Sequence, residues 1–282
     1  SEILKRCTKG HLYALDCDQT AIDQSTTRLA RVWSNFTCIH TPYEKLNEVL
    51  DAQGVGKVDG IIMDLGVSSP QFDDGTRGFS YRSDARLDMR MDQSQTLDAW
   101  TVVNTYSQEE LTRLLKQYGQ EPFAYKIAAS IVSRRAEHTI DTTFELVDLI
   151  KSVLPQKVLN KKGHPAKRSF QAIRMEVNGE LDQLQVALEA GIHRLKPGGR
   201  LCVITFHSLE DRLVKNAFKA VATPKKVDRR LPATGIEVLE YRFINKKPII
   251  ASDEELAANK RSHSAKLRGI ERIRESANEE KK

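Results

Sequence analysis

The sequence has 282 residues, of which 40% are hydrophobic and 29% are charged, and its formal net charge is +6. These proportions are those of a globular protein, and the absence of any apolar run near the roughly 18 residues that cross a bilayer excludes a membrane span. The sequence opens without an apolar leader, and its four cysteines are scattered without a CxxC pair, so we expect a cytoplasmic protein with reduced thiols and no metal site.

The first part of the chain alternates short apolar strands with amphipathic helices. Residues 11–18 (HLYALDCD) predict a strand that ends in acids, and residues 19–33 predict a helix. Residues 36–43 (FTCIHTPY) predict a second strand, residues 44–53 a second helix, and residues 58–65 (VDGIIMDL) a third strand. This repetition is typical of a parallel sheet with right-handed crossovers, as in α/β folds.

The middle of the chain has helical periodicity only. Capping-box patterns occur at residues 107–110 and 142–145, and apolar residues three and four positions apart follow each of them. We therefore predict that residues 95–158 form a helical insertion in a discontinuous α/β domain made of residues 1–94 and 159–282.

The α/β pattern returns after the helical stretch. Residues 169–195 predict one long helix that ends at the KPGG sequence, residues 196–199. Residues 200–208 (RLCVITFHS) predict a buried strand, and residues 238–244 alternate in polarity as an outer strand does.

Polar side chains follow the predicted strands, where a doubly wound sheet binds its ligands. Asp16 or Asp18 ends the first strand and could accept hydrogen bonds from a ribose, and Asp64 ends the third. Tyr43 follows the second strand and could lie against an adenine. Each residue alone also suits a turn or a helix cap, but together they favour a cofactor that contains a nucleoside.

Four long motifs resemble one known family. The segments DLGVSSPQFDDGTRGFSYRSDARLDMRMD, HPAKRSFQAIRMEVNGEL, GGRLCVITFHSLEDRLVK and RSHSAKLRGIER are similar, in this order, to the bacterial RsmH (MraW) family. Members of that family methylate N4 of a cytidine in the decoding region of 16S ribosomal RNA with S-adenosylmethionine. The resemblance implies a Rossmann-like methyltransferase sheet with an inserted helical domain that recognises the RNA.

The resemblance also implies which residues contact the cofactor. Asp16, Tyr43, Asp64 and Gln71 match positions that contact S-adenosylmethionine in the family. Relatives carry an N-terminal strand and a Gly-rich loop ending in GGHS, and Ser1 matches the end of that loop. We therefore expect this sequence to lack that strand and loop, and a catalytically impaired fragment is an alternative interpretation.

The loop after the third strand is the candidate for the transfer chemistry. The lone pair of a cytosine N4 amine is delocalised into the ring, so methylation requires an acceptor that holds the N–H and directs the lone pair. We predict that Asp64 positions the cofactor or the amine, and that Gly66 lets the backbone approach the ligand. Ser68 or Ser69 would accept from N4, although the two serines would also suit a turn.

Two further motifs have two interpretations each. His207 ends the strand at 200–208 and either contacts the target base, braced by Glu210 and Asp211, or begins the next helix. The charged residues of LDMRMD (87–92) either form internal ion pairs, which we favour, or contact RNA.

Three basic clusters favour a nucleic-acid partner, because they would neutralise phosphates around an extruded cytidine. The alternative is solvated surface charge, and part of the last cluster could instead fold back toward the active site. We expect binding to 16S ribosomal RNA, as part of the small ribosomal subunit, and a possible homodimer. The clusters contain Lys161, Lys162, Lys167 and Arg168; Lys225, Lys226, Arg229 and Arg230; and Lys260, Arg261, Lys266, Arg268, Arg272 and Arg274.

Three rival functions remain open at this point. A small-molecule methyltransferase would not need three basic clusters. A nucleotide-linked oxidoreductase would also place an acid after a strand, but the sequence contains no GxGxxG motif. An RNA-binding assembly protein without activity would bind RNA but not S-adenosylmethionine.

Overall fold

The computed structural model describes residues 1–224 and 239–275. The basic cluster predicted at residues 225–230 lies outside them. Within the described residues the strands are β1 (Leu12–Asp16), β2 (Phe36–His40), β3 (Val58–Asp64), β4 (Leu195–Thr205), β5 (Tyr241–Phe243), β6 (Ile249–Ile250) and β7 (Lys266–Arg272). The helices are α1 (Glu2–Arg6), α2 (Gln19–Ala30), α3 (Leu46–Ala52), α4 (Ser69–Asp73), α5 (Ala99–Thr105), α6 (Gln108–Gln117), α7 (Ala124–Glu137), α8 (Thr143–Val153), α9 (Gln156–Leu159), α10 (Lys167–Asn178), α11 (Glu180–His193), α12 (Ser208–Ala222) and α13 (Asp253–Ala258). No described helix is both long and apolar enough to span a bilayer.

The chain forms two compact units, each built from separate segments. The first, here called the helical unit, contains residues 1–41 and 67–180. The second, here called the sheet unit, contains residues 42–66 and those from 181 onward. The predicted insertion of residues 95–158 into a discontinuous domain stays a prediction.

The helical unit begins with a strand–helix–strand motif. Strands β1 and β2 are parallel, with Leu12 opposite Phe36 and Asp16 opposite His40. Helix α2 connects them and begins at Asp18, whose side chain accepts a hydrogen bond from the backbone N–H of Thr20. The first predicted parallel pair is therefore confirmed.

Helices α5 to α8 and α10 of the helical unit enclose its apolar core. Both predicted capping boxes are present, one at Ser107 and Glu110 and one at Thr142 and Glu145. Each box satisfies backbone N–H groups that the first turn of a helix leaves without partners. Behind these caps Leu111, Leu114, Val147 and Ile150 are buried as predicted, whereas Phe144 of the predicted stripe is 41% exposed.

The sheet unit contains a five-stranded sheet in the order β3–β4–β7–β5, with β6 also paired to β7. Strands β3 and β4 are parallel, and β7 runs antiparallel to its neighbours. Leu188 of α11 and Phe218 of α12 pack in one apolar core with Val203 of β4. Both units thus combine helices with parallel strand pairs, and the predicted α/β class is confirmed.

The prediction of one helix across residues 169–195 was wrong, because the chain forms α10 and α11 there. Gly179 ends α10 in the left-handed conformation, with φ of 58°, which glycine adopts without steric cost. The apolar spacing continues across this break because each helix has its own buried face. Phe170 belongs to the core of the helical unit and Leu188 to the core of the sheet unit. The KPGG sequence lies within β4 and does not separate the helix from the strand.

Part of the basic tail lies in the sheet. Strand β7 pairs with β4 along residues 266–271 and with β5 along residues 270–272. These residues of the tail are therefore part of the sheet, and the alternative that they fold back toward the active site stays a prediction. The predicted outer strand at 238–244 is present as the shorter β5.

Candidate functional site

Two acids follow β1, and the structure gives them different environments. Asp18 is only 5% exposed, and its Oδ2 accepts hydrogen bonds from Gln71 Nε2 at 2.8 Å and from Arg77 Nη1 at 3.1 Å. Asp16 is exposed, its Oδ1 accepts from the backbone N–H of Asp18 at 2.8 Å, and the backbone N–H of Cys17 also stabilises the carboxylate. Of the two acids, Asp16 is therefore the one that a ligand can reach from solvent.

The pKa values of these acids shift in opposite directions. Burial opposes ionisation of Asp18, but the hydrogen bond from Gln71 and the charge of Arg77 outweigh it and lower the pKa of this carboxyl. Partial desolvation raises the pKa of Asp16, and the negative charge of Asp18 adds to that rise. The partners of Asp18 thus favour its ionised form, whereas burial of Asp16 disfavours its ionised form despite the backbone N–H that it accepts.

Arg77 is the buried partner of Asp18, and no sequence motif predicted this role. It is 7% exposed, and its Nη2 donates to the carbonyl oxygens of Arg90 at 2.9 Å and Met91 at 3.1 Å. Its guanidinium carbon lies 5.9 Å from the centre of the Phe79 ring. Its Nε is buried and has no hydrogen-bond partner among the described residues. A single arginine in a polar loop forms no pattern, so only the structure identifies it as the residue that links this loop to the end of β1.

Residues Ser68 and Gln71 build the start of α4. The amide of Gln71 accepts from the backbone N–H of Ser68 at 2.9 Å and donates to Asp18, so both of its ends are used within the protein. The Ser68 hydroxyl accepts from the backbone N–H of Gln71 at 3.4 Å, which completes a capping box. Ser69 is exposed, and its hydroxyl has no hydrogen-bond partner in the described part of the chain. Ser69 is therefore the freer of the two serines, and the predicted ligand contacts of Ser68 and Gln71 stay predictions.

Asp64 ends β3 with an exposed carboxylate that accepts no hydrogen bond from the residues described. Desolvation raises its pKa, and the negative charge of Glu210 raises it further. Gly66 follows with φ of 88°, and a Cβ there would be 3.6 Å from the Phe206 ring. The turn after β3 thus uses the conformational freedom of glycine, as predicted. Tyr43 is half-buried and packs against the apolar core of the sheet unit.

His207 caps helix α12, which is the second of the two interpretations left open for it. Its Nδ1 accepts from the backbone N–H of Glu210 at 3.4 Å, and its Nε2 lies 3.1 Å from Glu210 Oε1 without hydrogen-bond alignment. Glu210 is 2% exposed, and its Oε2 accepts from the backbone N–H groups of Phe206 at 2.8 Å and His207 at 3.2 Å. A contact between His207 and a base stays a prediction.

The expectation that Asp211 braces His207 was wrong, because Asp211 pairs with β7. Its carboxylate lies 2.7 Å from Arg268 Nε and 3.3 Å from Lys266 Nζ. The Arg268 side chain is only 11% exposed. These two cations stabilise the sheet unit, so their predicted RNA contacts would compete with Asp211. Arg261 is exposed.

The basic loop before α10 is more accessible. Lys161, Lys162 and Lys167 are exposed, and so is Arg168, whose Nη1 donates to the carbonyl oxygen of Gln120 at 3.1 Å. These side chains are therefore available to an anionic partner, and their contact with RNA stays a prediction.

The LDMRMD motif forms an internal ion pair, as we favoured. Arg90 binds both oxygens of Asp88, with distances of 2.9 and 2.7 Å. Asp92 does not join this pair, since its carboxylate accepts from the backbone and hydroxyl of Ser94. The motif fixes the long loop of the helical unit.

The structure therefore groups the predicted site residues into two sets. In the helical unit, hydrogen bonds link the end of β1 at Asp16 to the α4 turn through Gln71. In the sheet unit, Asp64 and His207 follow the adjacent parallel strands β3 and β4. A single pocket that joins Asp16 with Asp64 and Tyr43 stays a prediction.

Comparison with known proteins gives one consistent result. The model of the MraW methylase family matches residues 1–273. A protein named ribosomal RNA small subunit methyltransferase H from Exiguobacterium sibiricum is 51% identical over 276 residues, which cover 98% of this chain and 88% of that protein. Proteins of the same name from Oenococcus oeni and Limosilactobacillus fermentum are 50% and 49% identical, over 96% and 97% of this chain and 87% and 88% of their own lengths.

Proposed function

Because this chain belongs to the MraW methylase family, we propose that it is an S-adenosylmethionine-dependent methyltransferase that acts on N4 of a cytidine in 16S ribosomal RNA. The observation that carries the proposal is the match of the family model to residues 1–273. Relatives about half identical to the chain are named as methyltransferases of small-subunit ribosomal RNA, which supports this RNA as the substrate.

The residues after the strands fit a nucleoside-containing methyl donor. Asp16 ends a parallel strand with an exposed carboxylate, which suits ribose hydroxyl groups and would repel a phosphate. The Tyr43 ring is half-buried after β2 and offers an aromatic face to an adenine. When bound, S-adenosylmethionine supplies an electrophilic methyl group on a sulfonium. Asp16, Tyr43 and Asp64 are the residues that we expect to hold it.

Asp64 is the residue best suited to orient the amine. Its carboxylate has no internal donor among the described residues, so it can accept an N4–H and direct the nitrogen lone pair out of the ring. In the transfer, the C–N bond forms as the C–S bond breaks, and the bonding electrons return to sulfur. The carboxylate then offsets the positive charge on N4 until its proton leaves to water. The Ser69 hydroxyl is available as a second acceptor.

Methyl transfer to ribosomal RNA tests the proposed function directly. The full chain is incubated with labelled S-adenosylmethionine and with either 30S subunits or naked 16S RNA, and the RNA is digested to nucleosides. We expect the label in N4-methylcytidine, identified by mass spectrometry. Label in another nucleoside would contradict the N4 assignment. RNA binding without cofactor binding, measured by calorimetry, would instead support an assembly protein.

The rate of transfer should depend on pH through Asp64. An ionised carboxylate is needed to accept the N4–H, so the single-turnover rate should rise with pH through the raised pKa of Asp64 and level off above it. The Glu210→Gln substitution removes the neighbouring charge and keeps an oxygen for the backbone N–H groups of Phe206 and His207. It should therefore move the midpoint of this rise to lower pH.

The control for this profile is Glu189→Gln, which removes one negative charge from an exposed position on α11. Its midpoint should equal that of the wild type. Circular dichroism at each pH establishes that the variants stay folded. An unchanged midpoint in Glu210→Gln would show that Asp64 ionisation does not limit the rate.

A further inference from the structure

The helical unit carries a stacked pair of rings, Tyr81 and His164, that the proposed transfer does not use. Their ring centres are 4.2 Å apart and their planes differ by 13°. Tyr81 also meets Phe170 edge-to-face, with centres 5.8 Å apart, and Phe170 is buried in the core. Both stacked rings are half-buried. The pair is therefore fixed to the core and presents a constant surface to solvent.

The protonation of His164 follows from its hydrogen bond. Its Nδ1 accepts from the backbone N–H of Ala166 at 3.3 Å, so the proton of the neutral imidazole is on Nε2. Burial lowers the pKa of His164, and the positive charges of Lys151 and Arg82 lower it further. Across residues 1–224 and 239–275, the Nε2–H has no acceptor. His164 thus presents an oriented N–H donor.

Positive charge surrounds this donor. Arg82 and Lys151 lie close enough to act electrostatically on His164, and both are exposed. Arg82 has no ion pair within the described residues, and the nearest carboxylate to Lys151 is an exposed one at 3.6 Å. Lys161 and Lys162 precede His164 in the same exposed loop. Within the described residues, the charge of Arg82 is therefore not neutralised, and that of Lys151 has only an exposed carboxylate at 3.6 Å beside it.

We propose that Tyr81, Arg82, Lys151 and His164, here called the Tyr81–His164 patch, bind the phosphate backbone of the RNA substrate. The His164 Nε2–H donates to a phosphate oxygen, while Arg82 and Lys151 neutralise adjacent phosphates. Exposed cations alone are usually solvated surface. Here the His164 Nε2–H lies among them, and the His164 ring is held by its stacking on Tyr81, which contacts the buried Phe170. The choice of RNA as the anionic ligand of the patch rests on the proposed function.

The charge of the patch is tested with the double variant Arg82→Ala/Lys151→Ala. Fluorescence anisotropy of a labelled single-stranded fragment of 16S RNA is measured over a series of salt concentrations. Losing two phosphate contacts should weaken binding at low salt and reduce the slope of log K against log salt by about 1.4, at about 0.7 per contact. The matched control, Arg28→Ala/Arg31→Ala, removes two exposed cations from the region of α2 and should keep the wild-type slope.

The donor is tested with His164→Asn. The asparagine Oδ1 can accept the Ala166 N–H in place of Nδ1, so the start of α10 is kept while the Nε2–H and the ring are lost. We expect binding weaker by roughly tenfold, the effect of one hydrogen bond to a charged group. An unchanged melting temperature by circular dichroism separates this loss from misfolding.

Two results would refute the proposed binding of RNA by the Tyr81–His164 patch. In one, Arg82→Ala/Lys151→Ala has the same affinity and slope as the α2 control. In the other, poly-glutamate binds as tightly as RNA and loses as much affinity in the variants, which would assign the patch to an acidic protein partner. Methyl transfer by the wild type on the same RNA keeps the two proposals distinct. Absence of transfer by the wild type on the fragment, on 16S RNA and on 30S subunits refutes the proposed function, whereas intact transfer with unaltered anisotropy in the variants refutes the patch alone.

Discussion

The Arg77→Met substitution is expected to destabilise the protein by about 3–5 kcal/mol, the cost of removing one partner of a buried ion pair. Arg77 and Asp18 are 7% and 5% exposed, so the variant leaves the Asp18 carboxylate buried beside Gln71 without a cation. Methionine retains most of the volume, so the loss comes from charge and hydrogen bonding and not from a cavity. Urea unfolding followed by circular dichroism measures the difference.

The control for this prediction is Arg113→Met in the same unit. Arg113 is half exposed, at 50%, and lies 3.9 Å from Glu176, so its loss should cost no more than about 1 kcal/mol. Adding Asp18→Asn to Arg77→Met should restore part of the stability, because the orphaned charge is then removed. Equal effects of Arg77→Met and Arg113→Met would show that the buried pair does not hold the loop.

Acid should reduce the difference between wild type and Arg77→Met. The folded-state pKa of Asp18 is lowered, so its contribution is fully present above the unfolded-state value of about 3.9 and is lost as pH falls through the lower folded-state value. In Arg77→Met the Asp18 carboxyl no longer has the Arg77 cation beside it, so its folded-state pKa is lowered less. The two proteins should therefore differ least in the most acidic buffer in which both fold.

Local signals were sufficient to predict the caps and strands of this chain. The boxes at Ser107 and Thr142 follow from side chains three residues apart, and the strands before Asp16 and Asp64 follow from short apolar runs that end in an acid. In each case the chain within a few residues supplies all the interactions that the pattern requires. Prediction succeeds here because the physical cause is local.

Three features depended on partners far along the chain and were missed. Arg77 pairs with Asp18, 59 residues away, and no spacing rule connects them. The residues of strand β7 were interpreted as a basic tail because a sequence does not show that an arginine has an internal partner. Arg272 is 2% exposed and donates to the carbonyl oxygen of Leu195, 77 residues earlier. The break at Gly179 was concealed because apolar spacing alone does not show that two helices pack into different cores. The Asn178-Gly179 dipeptide inside the amphipathic pattern was an available signal, since Asn-Gly marks turns.

In the candidate site, too, features with a local cause could be predicted from the sequence, whereas features that depend on distant partners could not. The resemblance named Gln71 as a cofactor contact, but the Ser-x-x-Gln spacing at Ser68 was also a capping-box pattern, and the structure shows the box. For Asp64 the strand end could be predicted, whereas its lack of an internal donor and the nearby charge of Glu210 depend on tertiary packing. Within the described residues, the side chains of Asp64 and Ser69 have no hydrogen-bond partner and Asp16 is exposed with backbone donors only, so these three are the strongest candidates for ligand contacts.

The Asp64→Ala substitution should reduce the single-turnover rate of methyl transfer by roughly 10²–10³-fold, the usual cost of losing one group that stabilises developing charge. Asp64→Asn keeps the shape and one acceptor oxygen but loses the charge, so it should retain more activity than alanine. Rates are measured at saturating S-adenosylmethionine and RNA, and calorimetry measures cofactor affinity separately. Asp59→Asn, at the other end of β3 in an exposed pair with Lys196, is the control and should stay within about twofold of the wild type.

The two measurements separate the two roles open to Asp64. If the carboxylate holds the amine, the rate at saturation falls and the cofactor dissociation constant is unchanged, since the interaction exists only with the nucleophile in place. If it holds the cofactor, the dissociation constant rises and the saturated rate falls much less. A variant Asp64→Ala that matches Asp59→Asn in both measurements would remove Asp64 from the site. The Ser69 hydroxyl, which is exposed and has no hydrogen-bond partner among the described residues, would then be the next candidate acceptor.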